Sequence, residues 1–143
     1  MQYKSFAQDR FEEIDACLTL IHQVNVSIKE SQIETDAGKK NVSDFLLCFD
    51  NKYSNAAELG EYSNEVLFKL LENYPKLTLE IMSKNKNQIS WKLICQEIAN
   101  PIIVSEVNII SGISKKIEAI SGYDNVKKDV LDALKQAIIN ISQ

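Results

Sequence analysis

Ile103, Val107, Ile110, Ile113, Ile117 and Ile120 recur at steps of four, three, three, four and three. A strand alternates its side chains between two faces, so this spacing keeps six apolar groups together only on one face of an α-helix. Ile102, Val104 and Ile109 add apolar surface on other faces, and the helix is expected to be enclosed on several sides as the hub of the fold. Its limits are legible too. Asn100 reads as an N-cap, Pro101 as the first helical position and Gly122 as a left-handed C′ residue, which predicts a central helix over 101–121.

The same period fills most of the chain. A first helix is expected from about Lys4 to Glu30, with Ala7, Phe11, Ile14, Leu18, Ile21 and Ile28 in register around a polar gap at Asn25, and Cys17, Leu20 and Val24 widening the stripe. The polar string Ser31 to Asn41 has neither period and reads as a loop. Asn41 is then placed as the cap of a second helix, Val42 to about Tyr53, burying Val42, Phe45, Leu46 and Phe49. A third helix follows from about Asn55 to Asn73. Pro75 stops Tyr74 from being helical and opens a short fourth helix carrying Leu77, Leu79, Ile81 and Met82. The fifth begins near Ser90 and stops before Pro101, and the last, capped by Asp124 or Asn125, runs Val126, Val130, Leu134, Ile138 and Ile141 down one side.

Only four Gly and two Pro leave little material for the turns of a sheet protein. The expected fold is therefore all-α: one domain over 1–143, a bundle of six to seven mostly antiparallel helices. The short helices ahead of a long one suggest paired-helix packing like that of an α-solenoid, although no internal repeat supports it.

Charge narrows the function classes. A net charge of −4 gives no basic field for nucleic acid. Arg10 is the only arginine among sixteen basic residues, so the bidentate fork that recognises phosphates and carboxylates is nearly missing. The lysine, isoleucine and asparagine bias also suggests a low-GC bacterial gene. No apolar run approaches the length of about 18 residues that a membrane span requires, and no signal-peptide core precedes the first helix. A cytoplasmic protein is expected, with a periplasmic or exported one as the alternative if an export signal was cut away.

Catalytic and metal signatures are sparse. His22 is the only imidazole, and it reads as solvent-facing or hydrogen-bonded. Cys17, Cys48 and Cys95 have no paired spacing, so no metal site is expected and the three read as small buried hydrophobes. An exported protein with a Cys48–Cys95 disulfide is the rival reading. Glycine-rich phosphate loops and metal-binding helix motifs are absent, and no cofactor is expected.

The pattern that remains is a run of carboxylates. Glu58, Glu61, Glu65 and Glu72 fall at helical steps along one side of the third helix, with Tyr62 beside them. A solvated face explains them, and so does an electronegative strip that recognises a protein with a basic surface. The function expected is a non-enzymatic protein-binding module, most concretely a small acidic bacterial inhibitor or immunity-type protein that occludes a toxin or effector. The alternative is a small helical-bundle enzyme or ligand carrier using buried Glu or Asp.

Overall fold

The computed structural model describes residues 6–143, with side chains from residue 10 onward. Seven helices occur among the described residues: α1 (Phe6–Lys29), α2 (Asp36–Leu46), α3 (Ala57–Asn73), α4 (Pro75–Asn85), α5 (Trp91–Ala99), α6 (Val107–Glu118) and α7 (Asp124–Ile141). A single 3₁₀ turn, Asn51–Tyr53, joins α2 to α3. The chain is all-helical, as its periodicity predicts. Lys4, where the first helix was expected to start, and the side chain of Ala7 lie outside the described residues.

The first difference from the sequence reading is in the segment expected to be a loop. Helix α1 ends in a Schellman arrangement, with Ser31 in the left-handed region at φ 56°, Ser31 N–H on the Ile28 carbonyl and Gln32 N–H on the Ser27 carbonyl. Ile33 is then buried, and Thr35 caps α2, its Oγ1 accepting the Gly38 N–H at 3.0 Å. Asn41 therefore lies inside α2 rather than capping it. Gly38 is needed for close approach: a Cβ there would sit 2.2 Å from the Gln32 carbonyl oxygen. The four residues expected to face inward are buried, and Phe45 and Phe49 meet edge to face with centroids 5.3 Å apart. Helix α2 nevertheless stops at Leu46, several residues before Tyr53.

The second difference concerns the hub. Residues 101–106 are not helical, Asn100 is the C-cap of α5, and α6 begins only at Val107. Ile102 and Ile103 are 50% and 54% exposed. Pro101 fits a helix start and also the residue after a helix end, and here the second role wins because Asn100 closes α5 with its N–H on the Glu97 carbonyl. Gly122 does take a positive φ, 92°, but it sits beyond the end of α6 in the link to α7. At the end of α6, Lys127 Nζ donates to the carbonyl of its last residue, Glu118, and to that of Ile120 just beyond the helix.

The central position passes to α3, which packs on α1, α4, α5 and α6. It buries Leu59, Val66, Leu67, Phe68, Leu70 and Leu71 together with the polar Ser63 and Asn64. Helix α6 buries only Ile110, Ile113 and Ile117, against α7, α4 and α3. Helix α5 has α7 as its main neighbour rather than α4 or α6, so the packing is not the successive stacking of helix pairs that a solenoid would show. In α1 the buried face is Cys17, Ile21, Val24 and Asn25, and Phe11, expected in the stripe, is 71% exposed. The polar gap at Asn25 has a partner, since its Oδ1 accepts from Lys69 Nζ at 3.1 Å.

Candidate functional site

Two polar centres fix how the loops meet the bundle. Asn64, at 0% exposure, donates from Nδ2 to the Glu97 carbonyl at 3.1 Å, to Glu97 Oε2 at 2.8 Å and to the Asn100 carbonyl at 3.3 Å. Its Oδ1 accepts the Ile102 N–H at 2.9 Å. One side chain thus ties the middle of α3 to the end of α5 and to the start of the 101–106 segment. Thr78 does a similar job at the α3–α4 corner, its Oγ1 reaching the Tyr74 carbonyl at 2.6 Å and the Leu70 carbonyl at 3.2 Å. Neither buried group is left without a partner, so both are structural.

Beside the Asn64 tie an open cleft forms between the 48–63 stretch and the end of α5, with a volume of about 460 Å³. Phe49, Tyr53, Leu59 and Leu93 give it apolar walls, and Ile102 lies on one side. Asp50, Glu61 and Glu97 are the charged lining residues, and no lysine or arginine is among them. The cleft therefore joins an apolar floor to a one-signed set of charges.

The carboxylates of α3 divide along the helix. Glu58 and Glu61 are exposed near its start, and Glu61 lines the cleft. Further along, Glu65 pairs with Lys69 at 3.3 Å, and Glu72 is half-buried, its carbonyl accepting from Lys116 Nζ at 2.8 Å. Tyr62 turns toward α1, where its hydroxyl shares a hydrogen bond of 3.4 Å with His22 Nδ1. The four glutamates do lie on one side of the helix, and among the described residues Glu65 is the one of them whose carboxylate forms an ion pair, while Glu58 and Glu61 are the two that are exposed.

A second cluster borders the cleft. Cys17 of α1 lies near Cys48, in the turn after α2, and near Tyr53, while the Cys48 Sγ itself approaches the Asp44 carbonyl at 3.9 Å. The neighbouring Cys48 holds the Cys17 thiol at about 7, with Tyr53 and the nearby Lys52 ammonium acting in the same direction against burial. Cys48 moves the other way, pushed up by Cys17 and by burial. Lys52 is anchored here by Glu13 at 3.4 Å and lies 5.1 Å from the Tyr53 ring centroid. All three cysteines are free thiols, and the neighbour of Cys48 is Cys17 rather than Cys95. Cys95 is half-buried on α5, where burial and then Asp129 raise its thiol to about 11. Close by, Trp91 Nε1 donates to Asp129 Oδ2 at 2.8 Å.

No cluster of three or more His, Cys, Asp or Glu suited to a metal occurs among the described residues. No helix among them is long and apolar enough to cross a membrane. Comparison with known protein families, curated proteins and solved structures finds no match.

The cleft residues Asp50, Glu97 and Ile102 and the Cys17–Cys48 pair were not singled out together from the sequence. They belong to four separate segments with no shared spacing. The Asn100–Pro101 dipeptide is the one local signal for this corner, since such a pair often marks a turn.

Proposed function

We propose that the protein is a non-enzymatic binding module whose cleft takes a segment of a partner protein carrying an apolar side chain flanked by lysine or arginine. The observation that supports this is the lining of the cleft: apolar walls joined to Asp50, Glu61 and Glu97, with no lysine or arginine among the described lining residues. Charges of one sign around a low-dielectric floor attract a partner of the opposite sign, and the apolar floor supplies binding energy once water leaves. Ile102 and Ile103, both exposed, extend the apolar surface along the 101–106 segment. Glu58 and Glu61 belong to the acidic strip read from the sequence and carry the same field along α3.

The concrete form of this reading is a small acidic bacterial inhibitor or immunity-type protein that covers a basic surface of a toxin or effector. Less supports the alternative of an enzyme or carrier working through a buried carboxylate, since every Asp and Glu among the described side chains keeps contact with solvent. The test starts from the partner that co-purifies with the native protein. Its association rate is measured at two ionic strengths for wild type, for Glu58→Lys/Glu61→Lys and for Ile102→Asp. Charge reversal should slow association about tenfold or more at low salt and remove most of the salt dependence, whereas Ile102→Asp should mainly speed dissociation. Rates and affinities equal to wild type in both variants would reject the cleft as the binding site.

A further inference from the structure

We propose that residues 101–106 form a two-state strap, which either lies along the cleft, latched to Asn64, or winds onto the start of α6 as added helix and opens that side of the cleft. In the structure the segment is not helical, Ile102 lines the cleft, and the Ile102 N–H is held by Asn64 Oδ1 at 2.9 Å. Its sequence is written for a different conformation. Asn100 and Pro101 suit the N-cap and first position of a helix, and Ile103 stands four residues before Val107 and seven before Ile110, on the face that α6 buries. An element with two arrangements is expected where local sequence and overall fold disagree.

The polar groups can trade partners between the two arrangements. Helix α6 starts after Glu106 without a side-chain cap, while Asn100 closes α5 and its Oδ1 accepts from Asn140 at 3.3 Å. On winding, Asn100 Oδ1 turns to the N–H of Ile102 or Ile103 and supplies the cap that Glu106 does not. Asn140 keeps its bond to the Ala99 carbonyl at 2.8 Å. Ile103, 54% exposed when latched, comes into line with the buried stripe of Ile110, Ile113 and Ile117. Against winding stand the β-branched side chains of Ile102, Ile103 and Val104, which lose rotamer freedom in a helix, so the latched arrangement prevails. Six residues span about 9 Å as helix, and the shortening is taken up by α6 sliding along its stripe toward the end of α5.

The strap rests on the binding reading above only in what its opening does. With Ile102 withdrawn, Asn64 Oδ1 becomes an acceptor for an incoming ammonium or guanidinium, so a basic occupant of the cleft favours the wound arrangement.

The test uses the full chain free in solution, with ¹³Cα chemical shifts and relaxation dispersion of residues 101–106 as the readout. Exchange on the microsecond-to-millisecond scale should be concentrated in this segment and the first turn of α6. Ser105 is exposed, so replacing it leaves the latch alone and alters only winding. Ser105→Ala should hold about five times the wound population of Ser105→Gly. Asn64→Ala removes the latch and should move the shifts of 102–106 toward helical values, and adding Asn100→Ala, which removes the cap, should reverse that movement. Coil-like shifts in Asn64→Ala, or equal exchange in the two Ser105 variants, overturn the strap. Should Asn64→Ala not fold, the Ser105 variants decide alone. No partner is present, so a failed strap leaves the cleft reading standing, and partner rates that reject the cleft leave the strap standing.

Discussion

Helices α3 and α6 carry similar apolar periodicity, yet they occupy opposite kinds of place. Counted around its circumference, α3 is buried over roughly 200°, from Val66 through Leu67 and Leu71 to Phe68, whereas α6 buries a stripe of about 60° formed by Ile110, Ile113 and Ile117. The difference is not in hydrophobicity, for α6 is isoleucine-rich and α3 includes Ser63 and Asn64 among its buried residues. What separates them is that α3 lies between α1 on one side and α4, α5 and α6 on others, and that it holds the end of α5 through Asn64. A hub is marked by buried polar groups with defined partners as much as by the number of its apolar residues.

Substitutions that separate these environments follow in order of expected effect. Ile110→Asp buries a charge at a position of 0% exposure within the apolar core, and should cost on the order of 4–5 kcal/mol in chemical denaturation. Asn64→Leu should cost about 3 kcal/mol, because the Ile102 N–H and the Glu97 and Asn100 carbonyls lose their buried partner. If its midpoint instead moves by less than a tenth of that, the claim that α3 organises the corner is wrong. Gly38→Ala should cost about 1–3 kcal/mol, since the added methyl group meets the Gln32 and Ile33 carbonyls and the α1–α2 turn must shift to admit it. Ile103→Asp should change stability by about 0.5 kcal/mol or less, the side chain being more than half exposed. Equal losses at positions 103 and 110 would restore a continuous helix over 101–121 and overturn the division drawn between α3 and α6.

How far the sequence carried these conclusions varies by region. Periodicity alone places α4, α5 and α7 to within a few residues, and Pro75 marks the α3–α4 boundary at Tyr74, whose φ of −135° is not helical. Thr35 followed by Asp36 was a legible start for α2, but the polar composition of 31–41 hid it behind Asn41. The 101–106 segment was misread because Pro101 suits both the end of one helix and the start of another, and because isoleucines on several faces look the same whether they are enclosed or left on a surface. Glu58 and Glu61 were found by spacing. The rest of the cleft was not, because Glu97 and Ile102 are held there by Asn64 reaching across more than thirty positions, a contact with no period to announce it, and Asp50 comes from the separate turn before α3.

The central claim, that a basic partner is received in the cleft beside the start of α3, is tested most directly by mapping backbone amides of the isotope-labelled protein while the co-purified partner is added. Perturbations should concentrate in the stretches 48–63 and 93–103, with the outer side of α7 around Lys128 and Asp132 unchanged, and the Glu58→Lys/Glu61→Lys variant should give the same free spectrum elsewhere but bind weakly. Perturbations centred on α7, with the cleft amides unmoved, would contradict the account.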